Sequence, residues 1–483
     1  MRPSCALLFV LLTACDGCDP EPGDSEPVDS LADTDTLLDT GDTGPDTVPA
    51  AVSDVSVVVN AEVATILELS WTQDEPTDQG WVEFRFETED WMSTPVQTLE
   101  AGEHSQVLLG IPGQTEVEIR VVNQGDTPSC STVITGTTGN LPGALALPML
   151  ISYDPTIASE HPWVMGSVDV GNSWYRGPFY SFILDRQGRV VWYHAVSDSR
   201  LNLFTQVSAD GTHILVDGST HYVWDEDVLP SVDRMTLDKR YYEELVFEDM
   251  GFSFDEIEGG SILYNAERQH ALLVERYPDG SEREIFDCSA YALEVGFNQG
   301  SCAINSVVHN PDQGTVFWSL YMVDTVIEVD YASGEVVRRF GQVPGGWTFD
   351  PPWSEVDYQH YPNYSPDGTV MASTHSRMHA GVQYAHEYVV DDDSETMVAT
   401  WSYGDEVMHY ASYGGETFRL AGGNTFITYG TDGAIREVTP DKKTAWELEW
   451  PVDPSTHLVG HFSFIDDLYA LNQGPADAEE AQP

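Results

Sequence analysis

Basic side chains are scarce in this sequence. Its 483 residues contain 20 Lys and Arg against 80 Asp and Glu, which gives a formal net charge of -60. Proteins bind the phosphate backbone of nucleic acids through clustered Lys and Arg, so the composition excludes nucleic acid as a natural partner. The same charge predicts repulsion from anionic lipid surfaces. The composition favours an acidic surface that keeps the protein soluble.

The sequence begins with an apolar run that is too short to cross a membrane. Arg2 precedes the run Ala6–Leu12, whereas a membrane-spanning helix needs about 20 apolar residues. A short apolar run that is followed by small residues is typical of an export signal. The last residues of the run and those after it, Leu12-Thr13-Ala14-Cys15, resemble the bacterial lipobox.

This resemblance implies that residues 1–14 are a lipoprotein signal peptide. It implies cleavage before Cys15 and acylation of the Cys15 thiol and of the new amino terminus. The protein is then expected in the cell envelope, where a lipid on Cys15 anchors it to a bacterial membrane, either in the periplasm or on the surface. An ordinary secretory signal that is cut elsewhere is the alternative.

Residues 15–49 are mostly Asp, Glu, Thr, Ser, Gly and Pro, with eleven acids and no Lys or Arg between Asp16 and Asp46. Such a segment cannot bury enough apolar surface to offset the entropy lost on ordering. We therefore expect an extended tether that repels itself. Repeated Asp-Thr-Gly invites comparison with a calcium loop, but its spacing lacks a set of ligands, so no metal site is predicted.

The sequence has six cysteines, and no spacing among them is typical of a zinc site. Cys5 leaves with the signal peptide and Cys15 would be acylated. Cys288 and Cys302 are fourteen positions apart and flank a stretch that could turn. Outside the cytoplasm this spacing favours a local disulfide, with two free buried thiols as the alternative.

Residues 50–140 show short segments in which apolar and polar residues alternate. Period-two alternation bounded by Pro, Gly and Asp predicts half-buried strands, and some ninety residues of this pattern predict a β-sandwich. Two segments loosely resemble the early Trp strand and a late strand of fibronectin type III domains. The segments are Leu67–Trp71 and Glu116–Val121.

Residues 150–475 contain two recurring units, each a polar turn that leads into an apolar strand. Repeated hairpins over this length, at about 40 to 50 residues per blade, predict a β-propeller of six or seven blades. The Trp residues of these units are expected to pack between blades. The first unit occurs at 185–192, 330–337 and 441–446, and the second at 209–211, 311–314 and 365–368.

Three stretches of the predicted propeller resemble one enzyme family. The first is Asp357-Tyr358-Gln359-His360, followed by Pro366–Met371. The second joins Tyr410–Gly415, Arg419-Leu420, Gly423–Ile427 and Glu437–Pro440, and the third is Ile304–Val307 with Asp324–Asp330 and Gly334. With the N-terminal sandwich, they resemble the arylsulfotransferases, bacterial enzymes that move a sulfuryl group between phenolic compounds without a nucleotide cofactor.

The resemblance implies a catalytic role for His360, which matches the family's nucleophilic His. A neutral imidazole nitrogen can attack sulfur, expel a phenolate and hold the sulfuryl group until an acceptor phenol takes it. Asn305 matches the Asn of the family's His-x-Asn motif and would bind substrate. The implied substrates are a small phenolic sulfate and a phenol, and no cofactor is expected.

The sequence also departs from the family pattern. The His of His-x-Asn falls on Ala303, the Arg after the next strand falls near Leu320, and a paired-His segment falls near Leu203 and Phe204. The transition state spreads negative charge over the sulfuryl oxygens and needs donors there. The candidates to replace the missing donors as substrate-binding residues are His375, Arg377 and Arg419, with His309 and His379 nearby.

Two functions therefore remain open at this stage. One is aryl sulfate transfer through a sulfohistidine on His360. The other is a catalytically silent propeller that binds or scaffolds at the cell surface, in which His360 is a structural histidine and Asn305 caps a turn. A calcium- or quinone-dependent dehydrogenase propeller ranks behind both, because the sequence contains no recognisable set of ligands for it.

Overall fold

The structure is a computed structural model of residues 51–475, except 88–89, 125–128, 170–177, 197–199, 221–227, 252, 267–270, 377–380, 407–408 and 452–457. The predicted signal peptide, Cys15 and the tether lie outside these residues. The chain divides between Asn140 and Leu141 into two compact units. Strands dominate both units, which confirms the all-β prediction. Within the described residues no helix is long and apolar enough to span a membrane.

The N-terminal unit consists of two antiparallel sheets around one apolar core. On the second strand Leu67, Leu69 and Trp71 are buried and the residues between them are not, as the alternation predicts. The strands are β1 (Val52–Val59), β2 (Leu67–Gln73), β3 (Thr77–Phe86), β4 (Met92–Ser93), β5 (Gln97–Leu99), β6 (Gly102–Leu108), β7 (Glu116–Asn123), β8 (Ser129–Cys130) and β9 (Ile134–Thr137). One sheet has the order β1-β2-β6 and the other β4-β3-β7-β8, with β5 on β3 and β9 on β7.

The C-terminal unit is built from short strands with small helical segments between them. The first strands are β10 (Met149–Tyr153), β11 (Trp163–Asp169), β12 (Phe179–Asp185), β13 (Val190–Val196), β14 (Thr205–Val207), β15 (Ile214–Gly218), β16 (Ser231–Met235), β17 (Tyr242–Val246), β18 (Phe254–Ile257), β19 (Ser261–Ala266), β20 (Leu272–Arg276) and β21 (Glu282–Asp287). Helix α1 (Cys288–Val295) follows, and one-turn 3₁₀ helices cover Gln299–Ser301, Tyr321–Val323, Pro352–Ser354, Gly430–Asp432 and Ala470–Asn472.

The remaining strands complete the C-terminal unit. They are β22 (Val307–Asn310), β23 (Thr315–Leu320), β24 (Thr325–Asp330), β25 (Val336–Gly341), β26 (Thr348–Asp350), β27 (His360–Tyr364), β28 (Val370–Ser376), β29 (Val382–Asp391), β30 (Thr396–Tyr403), β31 (Glu416–Arg419), β32 (Thr425–Thr428), β33 (Ala434–Val438), β34 (Thr444–Glu449) and β35 (Leu458–Ile465).

In the described part of this unit the strands form six sheets. Their orders are β35-β11-β12-β13, β14-β15-β16-β17, β18-β19-β20-β21, β22-β23-β24-β25, β27-β28-β29-β30-β26 and β31-β32-β33-β34-β10. Neighbouring strands are antiparallel, except that β26 runs parallel to β30. First strands of successive sheets contact each other, as β22 contacts β27 and β27 contacts β31. The last strand, β35, completes the first sheet beside β11, so the unit is propeller-like.

The recurring turns of the sequence occupy equivalent places in these sheets. The turns at 185–189, 330–335 and 439–443 join the third strand of a sheet to the fourth, and those at 209–213, 311–314 and 365–369 join the first strand to the second. At the first of them Asp185 accepts hydrogen bonds from the backbone N–H groups of Gln187 and Arg189, at 2.9 and 2.8 Å. Gly188 has φ of 77° there, a conformation that favours glycine.

Large aromatic side chains fill the space between neighbouring sheets. Trp192 and Trp446 are fully buried. The indole N–H of Trp192 donates to the Leu237 carbonyl at 2.7 Å, beyond the end of β16 in the next sheet. That of Trp446 donates to the Arg186 carbonyl at 2.8 Å. These contacts confirm the prediction that the Trp residues of the recurring units pack between sheets.

Cys288 and Cys302 form a disulfide, with 5.8 Å between their Cα atoms. Cys288 is the first residue of α1, and the Asp287 side chain caps this helix by accepting from the N–H of Ala290 at 2.9 Å. Both cysteines belong to the apolar cluster around Trp318. The link therefore holds the excursion between β21 and β22 against the core.

Candidate functional site

A cavity that is partly open to solvent lies at one end of the ring of sheets. Its walls come from positions at or just before the first strands of several sheets. They are Leu203 and Phe204 before β14, Asn305 before β22, Tyr358, His360 and Tyr361 at β27, residues 413–416 at β31 and residues 458–461 of β35. Because each sheet presents the same end here, residues far apart in the sequence converge on one space.

An irregular start of β27 directs His360 into this cavity. The pairing of β27 with β28 shifts register between His360 and Asn363, and the residues on either side of the Gln359-His360 pair, Tyr358 and Tyr361, have φ of 53° and 44°. Such bulges commonly re-aim a side chain beside a functional site. Each left-handed non-glycine residue costs about 1 to 3 kcal/mol, so it persists only where its surroundings fix it.

Three hydrogen bonds to the preceding sheet hold this segment in place. The Asp324 carboxylate accepts from the backbone N–H of Tyr358 at 2.8 Å. The amide of Gln359, which is fully buried, donates to the Ser319 hydroxyl at 3.1 Å and to the Thr325 carbonyl at 2.9 Å. The Gln of the Gln-His motif therefore anchors the backbone and leaves the cavity to the His.

The hydrogen bonding of His360 defines which ring nitrogen is available. Nδ1 lies 3.1 Å from the Tyr358 carbonyl oxygen, and a carbonyl only accepts, so Nδ1 carries the hydrogen. Nε2 then holds a lone pair, and none of the described residues hydrogen-bonds it. Burial, and then repulsion from His375 when that ring is protonated, lowers the pKa of His360 well below 6.5, against the effect of the Tyr358 carbonyl. The ring is thus neutral at neutral pH.

His375 on β28 packs edge-to-face against His360, with 4.9 Å between ring centroids. Its Nδ1 donates to the Ala411 carbonyl at 2.6 Å. Burial lowers the pKa of His375 to about 4, and the carbonyls of Ala411 and Gly414 oppose that shift. His375 therefore braces the nucleophile candidate as a second neutral ring behind the cavity wall.

Aromatic rings form much of the cavity wall. Tyr358 lies 5.1 Å from Tyr321 and 6.2 Å from Tyr413, measured between ring centroids. Phe204 stacks on His461 at 5.9 Å, and Tyr361 lies 4.6 Å from the same His461 ring. Walls of this kind suit a flat aromatic ligand, because offset stacking and edge contacts are both available.

A histidine and a carboxylate face the same space. His461 on β35 places Nδ1 2.8 Å from Oε2 of Glu416 on β31, and both residues line the cavity. Burial, with the nearby charges of Asp255 and Glu416, raises the pKa of Tyr361 well above its usual range. Burial also raises the pKa of Asp255 to about 7, although the backbone N–H of His309 donates to it at 2.7 Å.

Asn305 lines the cavity with one polar atom uncommitted. Its Nδ2 donates to the backbone carbonyl of Gln359 at 2.7 Å. Its Oδ1 is buried and hydrogen-bonds none of the described residues. Since an amide nitrogen carries two hydrogens, Nδ2 of Asn305 keeps a second hydrogen while it holds the segment before His360.

The structure brings three of the predicted site residues together and separates a fourth. His360 and Asn305 line the cavity and His375 contacts His360. Arg419 does not: its guanidinium pairs with Glu387, donates to the Gly423 carbonyl at 3.1 Å and lies 4.9 Å over Trp401. The expected substrate-binding role of Arg419 is replaced by a structural one. Arg377 lies outside the described residues.

At the positions where the family's hydrogen-bond donors are missing, the structure shows apolar side chains. Leu203 and Phe204 form part of the cavity wall, and Leu320 is fully buried in the apolar cluster around Trp318. Glu416 is the one acidic side chain among the described lining residues, and Lys and Arg do not occur among them. Glu416 and His461 were missed from the sequence because they are 45 positions apart and match no motif.

Comparisons with known proteins give no family assignment. No protein-family model and no curated protein matches the chain. Among solved structures, a protein of unknown function from Bacteroides caccae aligns at 13% identity over 62% of this chain and 100% of its own, with a TM-score of 0.40. A streptogramin B lyase aligns at 12% over 68% and 96%, with a TM-score of 0.40. The virginiamycin B lyase of Staphylococcus aureus aligns at 10% over 64% and 97%, with a TM-score of 0.36.

The low pKa of His375 makes a prediction for stability. The unfolded chain takes up this proton near pH 6.5 and the folded one near pH 4, so the free energy of unfolding falls as pH is lowered between these values. We expect the parent to lose up to about 3 kcal/mol more than His375→Gln over this range. Urea unfolding at several pH values measures the free energy of unfolding of both proteins.

Asp255 acts in the opposite direction, because its raised pKa of about 7 adds stability as pH falls. It is present in both proteins, so its effect cancels in the difference between them. If the free energy of unfolding had the same pH dependence in the parent and in His375→Gln, the prediction would be wrong. The His375 ring would then take up its proton at the ordinary pH in the folded protein.

Proposed function

We propose that the C-terminal unit is a six-bladed propeller that transfers a sulfuryl group from an aryl sulfate to a phenol through a sulfohistidine on His360. The observation that carries this proposal is the neutral His360 ring, whose Nδ1 is held by the Tyr358 carbonyl at 3.1 Å and whose Nε2 is left free in an aromatic cavity. A histidine that is neutral, oriented and desolvated is suited to nucleophilic catalysis.

The reaction follows from the residues around that nitrogen. The aryl ring of the donor would stack between Tyr358, Tyr413 and Phe204, which places its sulfur near Nε2 of His360. The lone pair of Nε2 attacks sulfur, the bond from sulfur to the aryl oxygen breaks, and the electron pair leaves with the phenolate. An acceptor phenol then loses its proton to water as its oxygen attacks the same sulfur, the bond from sulfur to Nε2 breaks, and its electron pair returns to Nε2 and restores the neutral ring. No cofactor is required.

Asn305 is the substrate-binding residue that this arrangement supports best. Its second amide hydrogen is available to a sulfuryl oxygen, where negative charge accumulates in the transition state. Its position is fixed because the first hydrogen is held by the Gln359 carbonyl at 2.7 Å. His375 is assigned the role of keeping His360 in place.

A second candidate function is capture of an aromatic ligand without chemistry. The observation that favours it is the charge of the described cavity lining, which includes Glu416 and lacks Lys and Arg. A carboxylate repels a sulfate, so a neutral phenolic or aromatic ligand would bind more readily than a sulfate ester. The same aromatic walls serve both functions, so an assay for sulfuryl transfer is needed to distinguish them.

Substitution of His360 by Asn tests the proposed chemistry. The Asn amide keeps a donor near the Tyr358 carbonyl but lacks the nucleophilic nitrogen. We expect the parent to transfer the sulfuryl group from 4-nitrophenyl sulfate to phenol and to carry SO3 on the peptide that contains His360. His360→Asn should lose transfer by at least about 10³-fold. Product formation and peptide mass spectrometry measure these outcomes.

His386→Asn is the matched control. His386 lies on β29 of the same sheet, is buried, has a pKa lowered to about 4 by burial, and bonds the Ser402 hydroxyl at 2.8 Å away from the cavity. Its loss should leave transfer near the parent rate. Two results together would instead establish the binding function. Aromatic ligands would bind without sulfuryl transfer from any aryl sulfate, and His360→Asn would bind them as the parent does.

We further propose that the N-terminal unit is a fibronectin type III-like module and that the mature protein is a lipoprotein anchored through Cys15. The support is the two-sheet core of residues 51–140 and the signal sequence before Cys15. The tether would then hold both units away from the membrane, and their acidic surfaces would avoid anionic lipid.

Fatty-acid labelling of cells that express the full chain tests the anchor. We expect the protein to incorporate the label and to sediment with membranes, whereas Cys15→Ser should be unlabelled because it lacks the acylated thiol. Ser25→Ala, a change in the tether that leaves every thiol in place, should behave as the parent does. Equal labelling of the parent and Cys15→Ser, or a mature amino terminus at another residue, would contradict lipidation at Cys15.

A further inference from the structure

His461 lines the cavity with only one ring nitrogen committed to a strong hydrogen bond. Its Nδ1 lies 2.8 Å from Oε2 of Glu416, and both side chains are only 7% exposed. A carboxylate only accepts, so Nδ1 carries a hydrogen. The nearest described partner of Nε2 is the Ser463 hydroxyl at 3.5 Å, which is the outer limit for a hydrogen bond.

The ring of His461 is also fixed in direction. Phe204 stacks on it with 5.9 Å between centroids, and Tyr361 packs against it at 4.6 Å. Tyr361 follows His360 in the chain, and His360 and His461 both line the cavity. A carboxylate bonded to one nitrogen of an imidazole orients it and stabilises its charged form, the arrangement found in catalytic acids and bases.

We propose that His461 is the proton donor and acceptor for the phenolic oxygen, and that Glu416 is its positioning residue. This inference rests on the proposed function. When Nε2 of His360 attacks sulfur and the bond to the aryl oxygen breaks, the leaving oxygen takes the proton from Nε2 of His461 and departs as a neutral phenol. In the second step an acceptor phenol gives its proton to Nε2 of His461 while its oxygen attacks the sulfur, and the electron pair returns to His360.

The local charges agree with this role. A cationic His461 would have the Glu416 carboxylate as its partner at 2.8 Å, and a positive charge on this ring would also favour the ionised form of the buried Asp255 carboxyl. Glu416 would repel the sulfate of a bound donor in the absence of a compensating cation. Protonated His461 offsets that charge, so one residue accounts for both the acid step and the presence of a carboxylate in the cavity.

The chain contains a matched pair that lacks access to the cavity. His409 also places Nδ1 against a carboxylate, that of Asp432 at 2.6 Å, and also stacks on an aromatic ring, that of Tyr429 at 3.9 Å. It is buried but is not among the lining residues. A purely structural histidine–carboxylate pair should therefore behave like His409.

Leaving-group dependence tests the proposal. The acid matters for a poor leaving group such as phenol and little for 4-nitrophenol, whose anion is stable without a proton. We expect His461→Gln to slow the first turnover of phenyl sulfate by about 10²-fold or more and that of 4-nitrophenyl sulfate by no more than about 3-fold. Glu416→Gln should give the same pattern with a smaller loss, and His409→Gln should match the parent for both donors.

The remaining outcomes separate two kinds of failure. If His461→Gln still releases 4-nitrophenol and forms sulfohistidine at His360, the variant is folded, and imidazole added to His461→Ala should restore turnover of phenyl sulfate. Equal losses for both donors, or no rescue by imidazole, would overturn the role of His461 while sulfuryl transfer stands. A parent that releases neither phenol would overturn sulfuryl transfer itself, and the acid role with it.

Discussion

The pairing of β35 with β11 is the constraint on which the C-terminal unit depends. It joins residues 458–465 to residues 163–169 in an antiparallel ladder, so the end of the unit completes its first sheet. The cost of closing such a long loop grows only slowly with its length, and the apolar cluster that contains Val164, Phe182 and Phe462 is buried by the closure. A ring of sheets without this pairing would leave exposed edges on both sides of the gap.

The same pairing completes the cavity. The backbone N–H of His461 donates to the Leu203 carbonyl at 2.6 Å, which ties β35 to the segment before β14. At Gly460 a Cβ atom would lie 2.4 Å from that carbonyl oxygen, so only glycine permits the approach. Ring closure thus sets His461 beside Glu416 and against Tyr361 at the irregular start of β27, where Asp324 and the buried Gln359 hold the segment before His360.

Local patterns in the sequence predicted local structure well. The hairpin turns, the alternating strands of the N-terminal unit, the packing of Trp192 and Trp446 and the disulfide between Cys288 and Cys302 each depend on residues close in sequence or on a repeated unit. His360 and Asn305 were found through motifs. Glu416 and His461 could not be, because their contact arises only when the first strands of different sheets meet around one axis.

Arg419 was predicted from the sequence as a site residue, and the structure places it elsewhere. Its place in a stretch that resembles the arylsulfotransferases suggested a substrate ligand, but in the fold it contacts Glu387 and Trp401 within the sheet packing. The scarcity of basic residues explains why Arg419 pairs with a carboxylate. Lys and Arg number 20 against 80 acids. A partly buried carboxylate such as Glu387 is stabilised by a nearby cation, and a guanidinium used there is not available to a ligand.

Initial-rate kinetics with both substrates varied tests the central claim most directly. A covalent sulfohistidine on His360 requires that the first phenol leaves before the acceptor reacts. Double-reciprocal plots against the aryl sulfate, at a series of phenol concentrations, should then be parallel lines. Lines that intersect to the left of the ordinate would mean that donor and acceptor react together in one complex, and would contradict the nucleophilic role of His360.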